Sequence, residues 1–190
     1  SESIASRTFK QLVEDGLSTP WSIAQASWAK IVYSLDRGGY VRYDFKTASK
    51  LQQASTSLIE RYGGSLNYLH WVAEDERDLE ARIRGLAKGI GAKTAHIFLR
   101  ELRGVWAKAS PPLDEWALQA AKNLGFVAAE ASGGEALEHL AKLLATEGSG
   151  FESLRDLEAA LVRLGKNFCR KSRCLRCPVE GFCRLSSSKR

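Results

Sequence analysis

The sequence lacks the features that mark membrane-spanning and secreted proteins. No apolar run reaches the roughly 18 residues that a membrane-spanning helix needs, and no secretory signal peptide is recognisable. Methionine is absent from all 190 residues, which predicts that the initiator was removed or that Ser1 is not the natural start. We therefore expect no membrane partner, and we expect the protein to be a monomer.

Stretches of alternating β-branched residues, the usual sign of strands, are also missing. Apolar residues recur at helical spacing instead, and Ser, Thr and Asp residues stand where helices would begin. The predicted helices span residues 3–15, 20–26, 28–35, 45–62, 65–73, 76–86, 92–102, 115–124, 135–146 and 153–164. We predict an all-α protein with a first lobe at residues 1–129 and a C-terminal lobe at residues 130–190.

Positive charge is what the sequence has in excess. Its 28 lysine and arginine residues outnumber its 22 aspartate and glutamate residues, which gives a formal net charge of +6. A basic surface attracts phosphates without sequence preference. The charge is consistent with a nucleic-acid partner, although a basic soluble protein of another kind would show the same value.

A glycine turn lies between two predicted helices in the segment Leu-Ala-Lys-Gly-Ile-Gly-Ala-Lys-Thr-Ala, residues 86–95. Glycine at both ends of the turn allows positive φ and close approach of the backbone. The first amides of the second helix have no intrahelical partner and can bind a phosphate. An ordinary helix–turn–helix joint is the alternative, but Lys93 in the first turn favours an anion site. The candidate contacts are Lys88, Gly89, Gly91 and Ala92.

All four cysteines lie in one stretch, Cys169-x4-Cys174-x2-Cys177-x5-Cys183. This clustering argues against scattered disulfides and for a metal or cluster site in a reducing, cytoplasmic compartment. Four thiolates can hold a [4Fe–4S] cluster, and Pro178 directly after a cysteine is typical of such loops. A four-cysteine zinc site is the alternative, although zinc sites more often pair two C-x2-C knuckles.

Two further segments carry side chains that suit DNA. A loop held rigid by a cluster can place cations against a DNA backbone, and arginines with tyrosines suit stacking in an emptied base position. The candidates are Arg170, Lys171 and Arg173 in the cysteine loop, and Arg37, Tyr40, Arg42 and Tyr43 in a predicted glycine-containing loop. Ordinary solvated surface is the alternative for each residue.

Three features follow one another along the chain: the Gly-Ile-Gly-Ala-Lys-Thr-Ala hairpin, an acidic residue after Pro111-Pro112, and the four-cysteine loop. In this order they resemble endonuclease III and, more broadly, the helix-hairpin-helix superfamily of base-excision DNA glycosylases. The resemblance implies an all-α, two-lobed fold with a [4Fe–4S] cluster. It also implies that double-stranded DNA with a damaged base or an abasic site binds between the lobes. The family's opening helices have no counterpart before Ser1.

The resemblance implies catalytic roles for two residues. Lys93 stands where the bifunctional members place their nucleophile, and Asp114 is the candidate for the family's aspartate. A lysine amine can attack the sugar C1′, expel the base and form a Schiff base that permits β-elimination. Asp114 can accept a proton and stabilise positive charge on the sugar. The alternatives are a Lys93 that binds phosphate and an Asp114 that caps a helix, and the cap and the catalytic role are compatible.

The expected activity is that of a DNA glycosylase with AP-lyase activity, or of an AP lyase alone, that works in DNA repair. Two alternatives stay open at the level of sequence: a monofunctional glycosylase that uses water, and a noncatalytic DNA-binding iron–sulfur module. The three histidines lack metal-ligand spacing and are expected to be structural. The five tryptophans are expected in the core; they are Trp21, Trp28, Trp71, Trp106 and Trp116.

Overall fold

The computed structural model describes residues 2–145 and 153–187, and within these ranges the chain is helical and contains no strand. The helices are α1 (Glu2–Glu14), α2 (Pro20–Gln25), α3 (Trp28–Arg37), α4 (Asp44–Tyr62), α5 (Leu66–Val72), α6 (Glu76–Arg84), α7 (Ala92–Glu101), α8 (Glu115–Leu124), α9 (Gly133–Leu144), α10 (Leu154–Asn167) and α11 (Arg184–Ser187). Three single-turn 3-10 helices lie at Cys169–Lys171, Cys174–Arg176 and Glu180–Phe182. The predicted all-α fold is confirmed. The predicted end of one helix, Thr146, lies outside the described residues.

Side-chain caps explain where most of these helices begin. The Thr19 hydroxyl accepts a hydrogen bond from the Ser22 amide at 3.1 Å, and the Asp75 carboxylate accepts one from the Asp78 amide at 2.8 Å. The same device starts other helices at Ser27, Ser65, Asp114, Ser132 and Ser153. Helix α7 follows Gly91 instead, and glycine has no side chain to cap the first amides. No described helix is both long enough and apolar enough to cross a bilayer.

The described residues up to Leu99, together with Trp106–Ala109, form one compact unit. Helices α1 to α4 of this unit enclose a core, whose buried side chains are Leu17, Ile31, Val32, Leu35 and Ala48. The Trp106 ring stacks on His70 at 4.8 Å, and its Nε1 donates to Asn67 at 3.1 Å. These contacts fix the short segment that returns to this unit after α7.

The tryptophans correct one expectation drawn from the sequence. Trp106 is buried at 7% exposure, whereas Trp21, Trp28 and Trp71 are 47%, 41% and 73% exposed. Trp21 and Trp71 belong to helices of six and seven residues, which offer little surface against which a whole indole can be buried. The Nε1 of Trp28 donates to Ser49 at the surface, at 3.0 Å. An indole is stable in such a partly exposed position, because its polar N–H is hydrogen-bonded while its ring packs against the protein.

The second compact unit includes Arg100–Val105 and the described residues from Ser110 onward. Helices α8 and α10 pack along each other, and their core residues include Ala117, Ala120, Ala121, Leu157 and Leu161. Residues 110–129, which the sequence analysis assigns to the first lobe, belong to this unit because α8 packs on α10. Gly165 allows the helices to approach closely, since a Cβ there would lie 2.1 Å from the Trp116 carbonyl oxygen.

Replacement of Gly165 by alanine tests this helix contact. We expect Gly165→Ala to lower the free energy of unfolding by about 1–3 kcal/mol, because the obstacle is the backbone of α8 and cannot rotate aside. This loss should exceed the gain of about 1 kcal/mol that alanine brings to a helix. Urea unfolding measures the change. The control is Gly134→Ala in α9, where an added Cβ meets nothing within 4 Å; equal stability of the two variants would contradict the contact.

Candidate nucleic-acid interface and cysteine centre

The turn between α6 and α7 has the predicted position, but its two glycines differ. Gly89 adopts a φ of 88°, in the left-handed region that favours glycine, whereas Gly91 lies outside the positive-φ region. The expectation of positive φ at both ends of the turn is therefore wrong for Gly91. An added Cβ at Gly91 would meet nothing within 4 Å. Gly91 matters instead because it directly precedes α7 and has no side chain that could cap the first amides of this helix.

Helix α4 supports this turn. The Lys88 amide donates to the Gln53 side-chain oxygen at 2.8 Å. The Lys50 side chain lies against Gly89, where a Cβ would be 3.7 Å from Nζ. A third cation, Lys93, follows in the first turn of α7. Lys50 and Gln53 were not predictable from the sequence, because they precede the turn by more than 30 residues and lie in an ordinary amphipathic helix.

Lys93 lies on the exposed side of α7. The same helix buries Ala95 and Leu99, which are four residues apart and share one face. Lys93 is two residues from Ala95, so the helical rotation places it on the other side. The first turn of α7 contains no acidic residue. This arrangement presents an amine and the first amides of the helix at the same end.

The loop predicted at residues 37–43 is shorter than expected. Arg37 is the last residue of α3, and its guanidinium is 3.5 Å from the Asp15 carboxylate, so its placement in the loop is corrected. Tyr40 is half-buried and packs against the core of the first unit. Arg42 lies over the Tyr43 ring at 5.1 Å, and Tyr43 is 50% exposed. Arg42 and Tyr43 are the part of this segment that presents an exposed aromatic and cationic surface.

The four cysteines line one cavity of about 50 Å³. None of the four cysteines is in a disulfide, and all four are half-buried. Burial raises the pKa of Cys169, and the other three cysteines add to the increase. The rest of the cavity wall is formed by Asn123, Phe168, Ser172, Glu180 and Leu185. Within the described ranges, no three His, Cys, Asp or Glu side chains form a group suited to one metal ion. The four cysteines border one common space.

The cysteine loop is attached to α8. The Cys183 thiol donates to the Asn123 carbonyl at 3.4 Å, and the Arg170 guanidinium lies 5.1 Å from the centre of the Trp116 ring. Arg170, Lys171 and Arg173 are all exposed. The loop thus carries surface cations and at the same time contacts both ends of α8.

Asp114 caps the start of α8, which was the structural alternative that the sequence left open for this residue. Its Oδ1 accepts a hydrogen bond from the Trp116 amide at 2.8 Å, and its own amide donates to Glu158 Oε1 at 3.2 Å. Glu158 is buried and pairs with Arg103, whose Nη2 lies 3.0 Å from Oε2. Neither Glu158 nor Arg103 was predictable as a site residue from the sequence. Glutamate in an amphipathic helix normally faces solvent, so the pattern gave no signal for this pair.

Comparison with known proteins bears on the fold. No family model matches the chain, and no curated protein matches it. Among solved structures, it matches a chain from a trapped covalent intermediate of endonuclease III with DNA, an estranged-adenine complex. The TM-score is 0.59 at 20% sequence identity, and the match covers 100% of this chain and 79% of that chain.

The chain has the fold of endonuclease III.

Within the endonuclease III fold, the sequence-predicted residues divide between the two units. The first unit holds the hairpin residues Lys88, Gly89, Gly91, Ala92 and Lys93 together with Arg37, Tyr40, Arg42 and Tyr43. The second unit holds Asp114, Arg170, Lys171, Arg173, Cys169, Cys174, Cys177 and Cys183. The hairpin residues lie together in one turn, and the four cysteines lie together around one cavity.

The two hairpin glycines allow a paired test of the turn. We expect Gly89→Ala to cost about 1–2 kcal/mol of stability, because an L-residue is strained at this φ. Gly91→Ala should change the free energy of unfolding by a few tenths of a kcal/mol at most, since its backbone is unstrained and its surroundings are open. Denaturant unfolding of both variants measures this difference. A larger loss for Gly91→Ala would show that the turn has another conformation.

Proposed function

We propose that this protein is a base-excision DNA glycosylase with AP-lyase activity and that Lys93 is its nucleophile. The observation that carries the proposal is an exposed lysine in the first turn of α7, directly after the glycine turn, in a chain with the endonuclease III fold. The matched structure contains endonuclease III trapped covalently on DNA. A lysine amine is a group that forms such covalent bonds with sugar carbonyl carbons.

The proposed partner is double-stranded DNA with a damaged base or an abasic site. The first amides of α7 follow Gly91 and suit a phosphate of the backbone, and Lys88 and Lys50 add positive charge at the same turn. The exposed pair of Arg42 and Tyr43 suits stacking against an unpaired base. The cations of the cysteine loop suit further phosphates, so DNA contacts are proposed in both units.

The proposed reaction begins with the target nucleotide flipped out of the duplex. The neutral amine of Lys93 bonds to C1′, the bond from C1′ to the base breaks, and the base leaves with that electron pair and takes a proton. Opening of the sugar ring gives a Schiff base. Loss of a C2′ proton then expels the 3′ phosphate oxygen and cleaves the strand. Asp114 accepts the proton of the amine and stabilises positive charge on the sugar.

We further propose that the four cysteines hold a [4Fe–4S] cluster. Thiolate donors suit iron, and a cluster distributes its four cysteine bonds over separate iron atoms, so its ligands surround a space. A zinc ion would need four sulfurs about 2.3 Å from a single point. The four thiols around one cavity favour the cluster. When bound, the cluster would hold rigid the loop that carries Arg170, Lys171 and Arg173.

Borohydride reduction on abasic duplex DNA tests the proposed nucleophile. Wild-type protein should form a covalent adduct, because borohydride reduces a Schiff base to a stable amine. Lys93→Gln should form none, whereas the control Lys46→Gln, an exposed lysine of α4, should react like wild type. A wild-type protein that traps nothing would contradict the lyase proposal. Base removal that survives Lys93→Gln would indicate the monofunctional mechanism, and binding without either activity would indicate a noncatalytic module.

Metal analysis tests the proposed cluster. The purified protein should be brown, absorb at about 400 nm and contain about four iron atoms per chain. Cys174→Ser should lose iron and colour. The control Ser172→Ala removes a cavity-lining hydroxyl that is not a ligand and should keep both. A colourless protein with one zinc ion per chain would contradict the cluster.

A further inference from the structure

A buried ion pair in the second unit contacts the segment that precedes α8. The Glu158 and Arg103 side chains are 1% and 10% exposed, and they meet at 3.0 Å. Each also contacts this segment: Arg103 Nη2 donates to the Pro111 carbonyl at 2.9 Å, and Glu158 Oε1 accepts from the Asp114 amide at 3.2 Å. The pair therefore holds both ends of the four-residue stretch that leads to the Asp114 carboxylate.

This pair is a poor device for stability. Removing two charges from water costs several kcal/mol for each ion, and the raised pKa of Glu158 reflects its burial, which the charge of Arg103 opposes. In addition, Arg103 Nε is buried and has no hydrogen-bond partner among the described residues. Apolar side chains of similar volume often replace such pairs without loss of stability. Because the pair contacts the Pro111 carbonyl and the Asp114 amide, it also fixes the position of the segment that leads to Asp114.

We propose that Arg103 and Glu158 are positioning residues for Asp114, an inference that rests on the proposed function. Glu158 fixes the Asp114 amide, and the Trp116 amide fixes Oδ1 of the Asp114 carboxylate at 2.8 Å. The backbone amide and one carboxylate oxygen of Asp114 are thus held, which under the proposed function fixes the carboxylate for its work on the lysine proton and the sugar charge. Misplacement of such a group by about 1 Å can lower a rate by about 100-fold.

Apolar replacement of the pair separates positioning from stability. The double variant Arg103→Met/Glu158→Leu keeps the packing and removes both hydrogen bonds to the segment. We expect it to remain folded, although the Asp114 amide and the Pro111 carbonyl lose their partners, and we expect its affinity for an uncleavable abasic-analogue duplex to match wild type. Its single-turnover rate of strand cleavage should fall by about 10- to 100-fold. The control is Arg155→Met, which removes an exposed pair on the same helix and should leave the rate unchanged.

Glu158→Gln is the conservative variant. Its amide oxygen still accepts the Asp114 N–H, but its charge and one acceptor for Arg103 are lost. We expect this variant to keep more of the cleavage rate than Glu158→Leu. Equal rates for the two variants would show that the hydrogen bond to the Asp114 amide has no part in catalysis, and this result would overturn the proposal.

A double-mutant cycle with Asp114→Asn gives the decisive test. If the pair acts through Asp114, its apolar replacement should lower the rate by less than about twofold once Asp114 is asparagine, because coupled groups are not additive. Additive losses, or a folded double variant with the wild-type rate, would overturn the positioning proposal while the proposed function stands. A wild-type protein that neither cleaves nor traps abasic DNA would overturn both.

Discussion

The start of α7 is the constraint on which the functional interpretation depends. Seven other helices of the described chain begin after a serine, threonine or aspartate whose side chain accepts a hydrogen bond from an amide of the first turn. Helix α7 begins after Gly91, which cannot do this, and the turn before it requires the positive φ of Gly89. An anion at this end is the natural partner of such amides. The same first turn presents Lys93, so under the proposed function the segment that builds the turn would also bring an amine to a bound DNA strand.

The second unit is organised around α8. Its first residue follows Asp114, its middle packs on α10 through Ala117, Ala120 and Ala121, and its end contacts Cys183. The cysteine loop also contacts the beginning of this helix through Arg170 and Trp116. Any group that orders the cysteine loop therefore also restrains the helix that carries Asp114 at its start. The proposed cluster would therefore contribute to the geometry of the unit without taking part in the chemistry.

Much of the fold could be predicted from the sequence, because its helices are amphipathic and their caps are local signals. The turn at Gly89 and the clustering of the cysteines are likewise visible within short segments. Three features were not predictable in this way: the exposure of Trp71, the support of Lys88 by Gln53, and the burial of Glu158 beside Arg103. Each depends on which distant helix face packs against the residue. In particular, Glu158 contacts Asp114 only because α10 packs on α8, and no local spacing in the sequence predicts that contact. Its position in an amphipathic helix gives Glu158 the appearance of a surface residue.

The most direct measurement of the central claim is to locate the lysine that bonds to the sugar. The adduct formed on abasic DNA is reduced with borohydride, digested, and sequenced by tandem mass spectrometry. The account predicts that the deoxyribose remnant is attached to the Nζ of Lys93. A remnant on Lys88 or Lys50, or on the N-terminal amine, would show that the first turn of α7 does not deliver the nucleophile and would contradict the account.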